Sequence, residues 1–538
     1  MLGIEVAVPD SVRIAFAGVL ASFVAVLAVA CSSARKPHEV SPALETIVSG
    51  KVFPNVEPDT WKDVRAFYTQ REHAPAWVDN RRPTSRAADA ITALNTARRH
   101  GYSADDYGAK ELLAMSQAVE KIDKEAPERL QHNAEFDVRL TAALLAFGRD
   151  VAIGRAKDRR WKSQRKAPDL VATLATIADG DATKWVDAVR PPHGEYEALA
   201  NALDALHGQK EKGGWVSVPA VSKPGASGPA VAALRQRLWA GGYFKGDPAA
   251  SGSYDADVEA AVRSFQELHA IKATGIVDQQ TLAALNVPLD SRMRQVALNL
   301  QRWRWMPDDL GERHFMVNVP SFHLIAREQG KPVMDIRVVV GKVGNNTPLF
   351  SDEMESVVFS PYWNIPDSIA QGETLPALAR DPSYLARQNI EIVRTSGEKV
   401  SAEDVDWSNP DELKGFAFRQ RPGSGNALGH VKFLFPNQHN VYLHDTPADS
   451  LFGKPTRAFS HGCIRVEEPE TLAKYVLRDY PEWDEQAIFA AMRAGTERHV
   501  KLKQKVPVHI VYFTSWVDEN GGLHFQPDIY GYDQSVEN

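Results

Sequence analysis

The hydrophobic pattern changes character several times along the chain. Ile14 to Ala30 is an almost unbroken apolar run. It is longer than a typical secretory core and slightly shorter than a spanning helix. Arg13 precedes it, Arg35-Lys36 follow it, and Ala28-Val29-Ala30 fits a small-residue cleavage site. Leu27 to Cys31 approximates a lipobox whose leucine sits one position too far from the cysteine. Residues 1–31 are therefore a signal or anchor segment. Cleavage, lipidation on Cys31 and retention in the membrane stay open, and each exports the remainder of the chain. A polar, proline-punctuated linker is expected over 32–54.

From 55 to 210 the apolar positions recur at helical spacing. Ala87, Ala90, Ile91, Leu94 and Ala97 form one stripe, and Leu140, Ala143, Leu144, Phe147 and Val151 another. Ala198, Leu203 and Leu206 make a less regular third. Trp61, Trp77, Trp161 and Trp185 are scattered through this region and read as core. A Gly/Lys/Ser/Pro-rich stretch then leads to residues 228–286. Three short amphipathic helices are expected there, with glycine turns at Gly242, Gly252 and Gly275. Asp290 to Met306 predicts one more helix, stopped by Pro307 and docked between domains.

At His314 the period drops to two. Strands are expected near 314–319, 322–327, 333–340, 355–359, 430–435 and 440–444. They predict a mainly β domain over 313–467, a compact barrel or sandwich. Residues 366–423 break the pattern with helical pieces at 369–379 and 382–389 and then a polar run. A loop of that length reads as an insertion capping a site. Residues 468–538 predict two helices and a late buried strand at 506–513. The fold class is multidomain α+β: a helical scaffold and a three-helix module joined to a mainly β domain with a capping insertion.

Composition narrows this little. A chain of 538 residues is long enough for several domains. A net charge of −7 argues against nucleic acid as the main partner. Two cysteines build no disulfide framework, and pairing Cys31 with Cys463 would silence a thiol.

Cys463 lies in the stretch Phe459 to Val466, among small and polar residues. A thiol attacks as thiolate, so it needs a base nearby. His461 and His444 are the candidates, and His444 follows a strand-like Val441-Tyr442-Leu443. His461 is a second base or a wall of the site. Gly462 permits a sharp turn that leaves the Cys463 amide facing a reacting oxygen. A zinc site from His430, His439, His444 and Cys463 matches no usual ligand spacing. No metal or cofactor is expected.

The pattern of His444, a long gap and Ser460-His461-Gly462-Cys463 resembles the active-site signature of the L,D-transpeptidases with a YkuD-type catalytic domain. Leu451-Phe452-Gly453 within the gap resembles the larger YcbB-like branch. The pair Phe265-Gln266 and the run Gly275, Ile276, Val277, Asp278 and Thr281 are similar to a peptidoglycan-binding domain. The resemblance implies a scaffold domain before that module. It implies Cys463 as nucleophile and His444 as base, with Gly462, His461 and Ser460 supporting the oxyanion. It places substrate contacts on Arg465, Tyr442 and Asp445; many members carry Asn where Arg465 stands. The implied partners are peptidoglycan stem peptides and glycan, met in the periplasm, with membrane anchoring through the N-terminus. The implied reaction releases D-alanine, holds an acyl thioester and forms a 3-3 cross-link in wall biogenesis and cell shape. With water as acceptor it becomes an L,D-carboxypeptidase. Carbapenem acylation is also implied. A non-catalytic wall-binding protein using 228–286 is the competing expectation. A papain-like protease fits less well, since it places its Cys before its His.

Overall fold

The computed structural model describes residues 38–534 apart from 51–52, 54, 80, 178–181, 382, 395 and 406–414. The N-terminal apolar run and Cys31 lie outside these residues. Among the described residues, no helix is long and apolar enough to cross a membrane.

The scaffold buries the predicted stripes. Helix α1 (Ser85–Asn95) turns Ala87, Ala90, Ile91 and Leu94 inward, and the Thr84 hydroxyl accepts from the Ala87 amide at its start. Helix α2 (Pro127–Ile153) buries Leu140, Leu144, Phe147 and Val151. Trp61, Trp77, Trp161 and Trp185 are all core residues. Asp137, fully buried on α2, accepts from the Tyr68 hydroxyl and the amides of Ala76 and Trp77, at 2.6, 3.0 and 2.7 Å. Those bonds satisfy a carboxylate that burial would otherwise make costly. Helix α3 (Gly194–Glu211) closes the region with Leu203 buried.

The small module consists of α4 (Pro229–Ala240), α5 (Ala256–Leu268) and α6 (Gln279–Leu285). Asp255 and Asp278 cap α5 and α6 by accepting amides of Val258 and Thr281. Gln266 donates to the Ile276 carbonyl and Thr281 hydroxyl and accepts from the Gly275 amide. The residues that carry this module's sequence signature are thus its internal clamp. Helix α7 (Leu289–Trp303) then packs between α3 and the catalytic core, and Trp303 stacks on Phe513 with ring centroids 4.7 Å apart. Burial of so large a ring contributes about 2–3 kcal/mol, which fixes the helix as a joint.

Among the described residues, nine strands build the β domain: β1 (Arg313–Asn318), β2 (His323–Glu328), β3 (Lys331–Gly341), β4 (Phe350–Phe359), β5 (Val431–Leu434), β6 (Leu443–His444), β7 (Ala458–Ser460), β8 (Ile464–Val466) and β9 (Arg498–Val511). Their order is β7-β3-β8-β6-β5-β4-β9-β1-β2, and β2 pairs back onto β3. That last pairing closes the sheet, because the early half of β3 meets β2 and its late half meets β8. A closed ring removes exposed edges and encloses one apolar core. The late strand lies in the middle of the ring, antiparallel to β4 and parallel to β1. An end at residue 467 would therefore cut out a central strand. The sequence hides this because β1 and β9 are far apart along the chain.

The cap contains short helices between Asp367 and Arg387, as expected. The stretch after them, which reads in sequence as polar and irregular, is more ordered than that. Trp363–Asn364, Ile390–Arg394, Lys399–Val400 and Phe416–Gln420 form a four-stranded sheet. Charged residues mask its alternation. Ile392, Phe416 and Phe418 pack on one small apolar cluster, while Glu391 gathers Lys399, Arg419 and Arg421.

Candidate active site

Strands β6 and β8 run parallel, with Leu443 opposite Ile464 and His444 opposite Arg465. Leu443 and Ile464 are fully buried in the ring's core. Strand alternation therefore sends Tyr442, His444, Cys463 and Arg465 to the opposite face. The Tyr442 and His444 rings sit edge to face, 5.7 Å apart. The residues read from the sequence as nucleophile, base and two substrate contacts share one surface.

The turn before Cys463 is tied from within. The Ser460 hydroxyl donates to the Cys463 carbonyl at 2.5 Å and accepts the Gly462 amide at 3.1 Å. Gly462 has φ +120°, a conformation side chains rarely adopt. From behind, the buried Thr347 hydroxyl donates to the Gly462 carbonyl and accepts the Gly341 amide, each at 2.9 Å. The Tyr530 hydroxyl donates to the Gly341 carbonyl at 2.5 Å and accepts the Thr347 amide at 3.3 Å. The Gly462 amide is thus engaged by Ser460, whereas the Cys463 amide has no partner among the described residues.

His444 is buried and donates through Nδ1 to the Asp445 carbonyl at 2.5 Å. That bond assigns the proton to Nδ1 and leaves Nε2 with its lone pair free. Burial and the Arg465 charge push the ring's pKa down to about 3. It is neutral at ordinary pH and able to accept a proton. Burial also raises the Cys463 thiol, while the Tyr442 amide and hydroxyl and the Arg465 guanidinium act against that rise. Its sulfur lies 3.7 Å from the Asn440 carbonyl and makes no hydrogen bond to the His444 ring. The resting pair is thiol and imidazole.

Three of the expected residues are engaged by the protein itself. His461 turns to the cap, where its Nε2 lies 2.9 Å from Glu373. The Asp445 carboxylate accepts the His430 amide at 2.7 Å and the Thr446 amide at 2.6 Å. Ser460 braces the turn. Arg465 keeps a buried Nε with no partner among the described residues. Thr347 and Tyr530 had no sequence signal, since neither lies near the Ser-His-Gly-Cys stretch in the chain. Among the described residues, no group of His, Cys, Asp and Glu is arranged to hold a metal.

Comparison with known families fits this geometry. Residues 312–510 match the L,D-transpeptidase catalytic domain, the YkuD family. The chain carries a YkuD-type L,D-transpeptidase catalytic domain. Residues 227–285 match the "Putative peptidoglycan binding domain" and residues 62–203 the "Scaffold domain". A Haemophilus influenzae protein named "Putative L,D-transpeptidase" is 34% identical over 244 residues, which is 45% of this chain and 49% of that one. The chain thus spans about half the length of this curated relative. Two similar solved structures are L,D-transpeptidases. The one from Mycobacterium smegmatis is 12% identical over 37% of this chain and 58% of its own, with a TM-score of 0.18. The one from Stackebrandtia nassauensis is 15% identical over 55% of this chain and 96% of its own, with a TM-score of 0.20. At those scores neither adds to the account of the site beside the YkuD match.

Proposed function

We propose that the chain is an exported cysteine L,D-transpeptidase that forms 3-3 cross-links between peptidoglycan stem peptides. The observation that carries this reading is the shared face of β6 and β8, where Cys463, His444, Tyr442 and Arg465 stand together behind a braced turn.

The steps follow from the protonation states. The thiol rotates from the Asn440 carbonyl toward His444 Nε2, which takes its proton as sulfur attacks the carbonyl before the terminal D-alanine. The oxyanion that forms is held by the Cys463 amide, and one such donor is worth about 10²–10³ in rate. The imidazolium returns its proton to the leaving amine, the carbon–nitrogen bond breaks, and a thioester remains on Cys463. The side-chain amine of a second stem then attacks, gives its extra proton to His444 and displaces the sulfur, which is reprotonated. Arg465, with its unpartnered buried Nε, pairs with a substrate carboxylate. The module at 227–285 holds the chain on the wall.

The test is mass spectrometry of tetrapeptide muropeptides incubated with the purified chain. Loss of D-alanine together with a 3-3 dimer is the expected result. Tripeptide without dimer would make the chain an L,D-carboxypeptidase with the same residues. Neither product, with muropeptides still retained by the chain, would leave a wall-binding protein.

A further inference from the structure

A second concave site lies away from the thiol, where α7 meets the scaffold. It is a cavity of about 540 Å³, a size that suits small organic ligands. Its chemistry is one-sided. Arg304, 1% exposed, donates to the carbonyls of Val151 and His100 and to the Tyr196 hydroxyl, and its Nη1 has no partner among the described residues. No carboxylate pairs with this buried charge among the described residues.

His100, 2% exposed, lines the same cavity. Its Nδ1 shares a 2.9 Å hydrogen bond with the Tyr196 hydroxyl, whose oxygen also accepts from Arg304. Burial, with the Arg304 charge beside it, holds the His100 pKa well below its usual value. Arg294, exposed on α7 at the cavity wall, makes no hydrogen bond or ion pair with any described residue. The one carboxylate on the wall, Asp106, is engaged by Arg155 at 2.9 Å.

Arg294 and the Nη1 of Arg304 thus stand at one cavity whose single carboxylate is already engaged, between walls that include the apolar Ala297 and Leu298. A bare inorganic anion would leave most of that volume and those walls unused. We propose that this cavity binds a short peptide carrying two or more carboxylates, with Arg294 and Arg304 as its anion partners. Its identity as a wall stem peptide rests on the function proposed above; the anion site itself does not. Occupied, the cavity joins scaffold to α7, the helix that leads directly into the catalytic ring.

The experiment is calorimetric titration of the full chain carrying Cys463→Ala, which stops turnover. The probes are L-Ala-D-Glu-diaminopimelate-D-Ala, the same peptide with its carboxylates amidated, and inorganic phosphate. Two classes of peptide site are expected. Arg294→Glu should weaken one class by about tenfold or more, and Arg294→Lys should keep it within about threefold. The amidated peptide should lose that class. Arg294 has no partner among the described residues, so its substitution leaves folding intact, and the alkylation rate of Cys463 in the otherwise native chain should not change. A single class unaffected by Arg294→Glu overturns the proposal, as does phosphate binding as tightly as the peptide. If the native chain fails to form an acyl-enzyme while Arg294-dependent binding persists, the mechanism falls and this site stands.

Discussion

The turn that carries Cys463 and the cap that faces it are held by different chemistry. In the turn, the hydroxyls of Ser460 and Thr347 are almost wholly buried and are bonded to main-chain groups. In the cap, the buried Glu391 is clamped by Lys399, Arg419 and Arg421, whose side chains are partly exposed, above one small apolar cluster. Buried neutral hydrogen bonds respond little to salt or pH, whereas partly exposed ion pairs respond to both. The contrast teaches that the geometry around Cys463 is insulated from conditions while the cap is adjustable. His461 joins the two, since it belongs to the turn yet meets Glu373 of the cap.

The sharpest way to break the comparison is inside the site. His444→Gln should lower the rate of D-alanine release by about 10²–10⁴, the usual worth of a general base. A variant within about threefold of native would remove His444 from the mechanism. Ser460→Ala should come next. It strands the buried Gly462 amide, costs about 1–3 kcal/mol in stability and misplaces the sulfur. We expect kcat to fall by about 10–10² with KM nearly constant, read by steady-state kinetics beside a thermal melt. A change confined to KM would mean that the hydroxyl touches substrate.

Conditions separate the two regions more gently. Because burial raises the Cys463 thiol, its thiolate fraction at neutral pH is below that of a free cysteine. The rate of iodoacetamide alkylation should keep rising past the ordinary thiol range near about 8.5. A plateau by about pH 7 would instead indicate a preformed ion pair. The smallest effect belongs to the cap. Burial works against the Glu391 charge, but Lys399, Arg421 and Arg419 hold its pKa down to about 2, from an ordinary 4.5. Its stabilising contribution is complete above the ordinary value and is lost as pH falls toward about 2. Glu391→Gln should speed limited proteolysis within 366–423 several-fold near neutral pH, and the native cap should approach that rate only near the depressed pKa of about 2. Alkylation of Cys463 at fixed pH should not change in that variant.

What the sequence disclosed and what it hid divide along similar lines. Cys463, His444, Tyr442 and Arg465 were legible because strand alternation and a short motif put them on neighbouring strands. The three-helix module and the connecting helix were legible because a single apolar face defines each. Thr347 and Tyr530 were not, because the fold brings Thr347 to Gly462 and Tyr530 to Gly341 across 115 and 189 residues of chain. The amides that donate to Asp445 were not legible either, because a carboxylate in sequence says nothing about which backbone groups reach it. The cap's strands stayed hidden because charges that pair with one another look, in a linear reading, like a solvated loop.

The central claim is a covalent bond to one sulfur, and intact-protein mass spectrometry tests it most directly. The full chain, quenched in acid during incubation with stem tetrapeptide, should gain the mass of the tripeptide acyl group on Cys463 as D-alanine is released in equal amount. Cys463→Ala should show neither. D-alanine release that persists in Cys463→Ala, without an adduct on the native chain, would contradict the account.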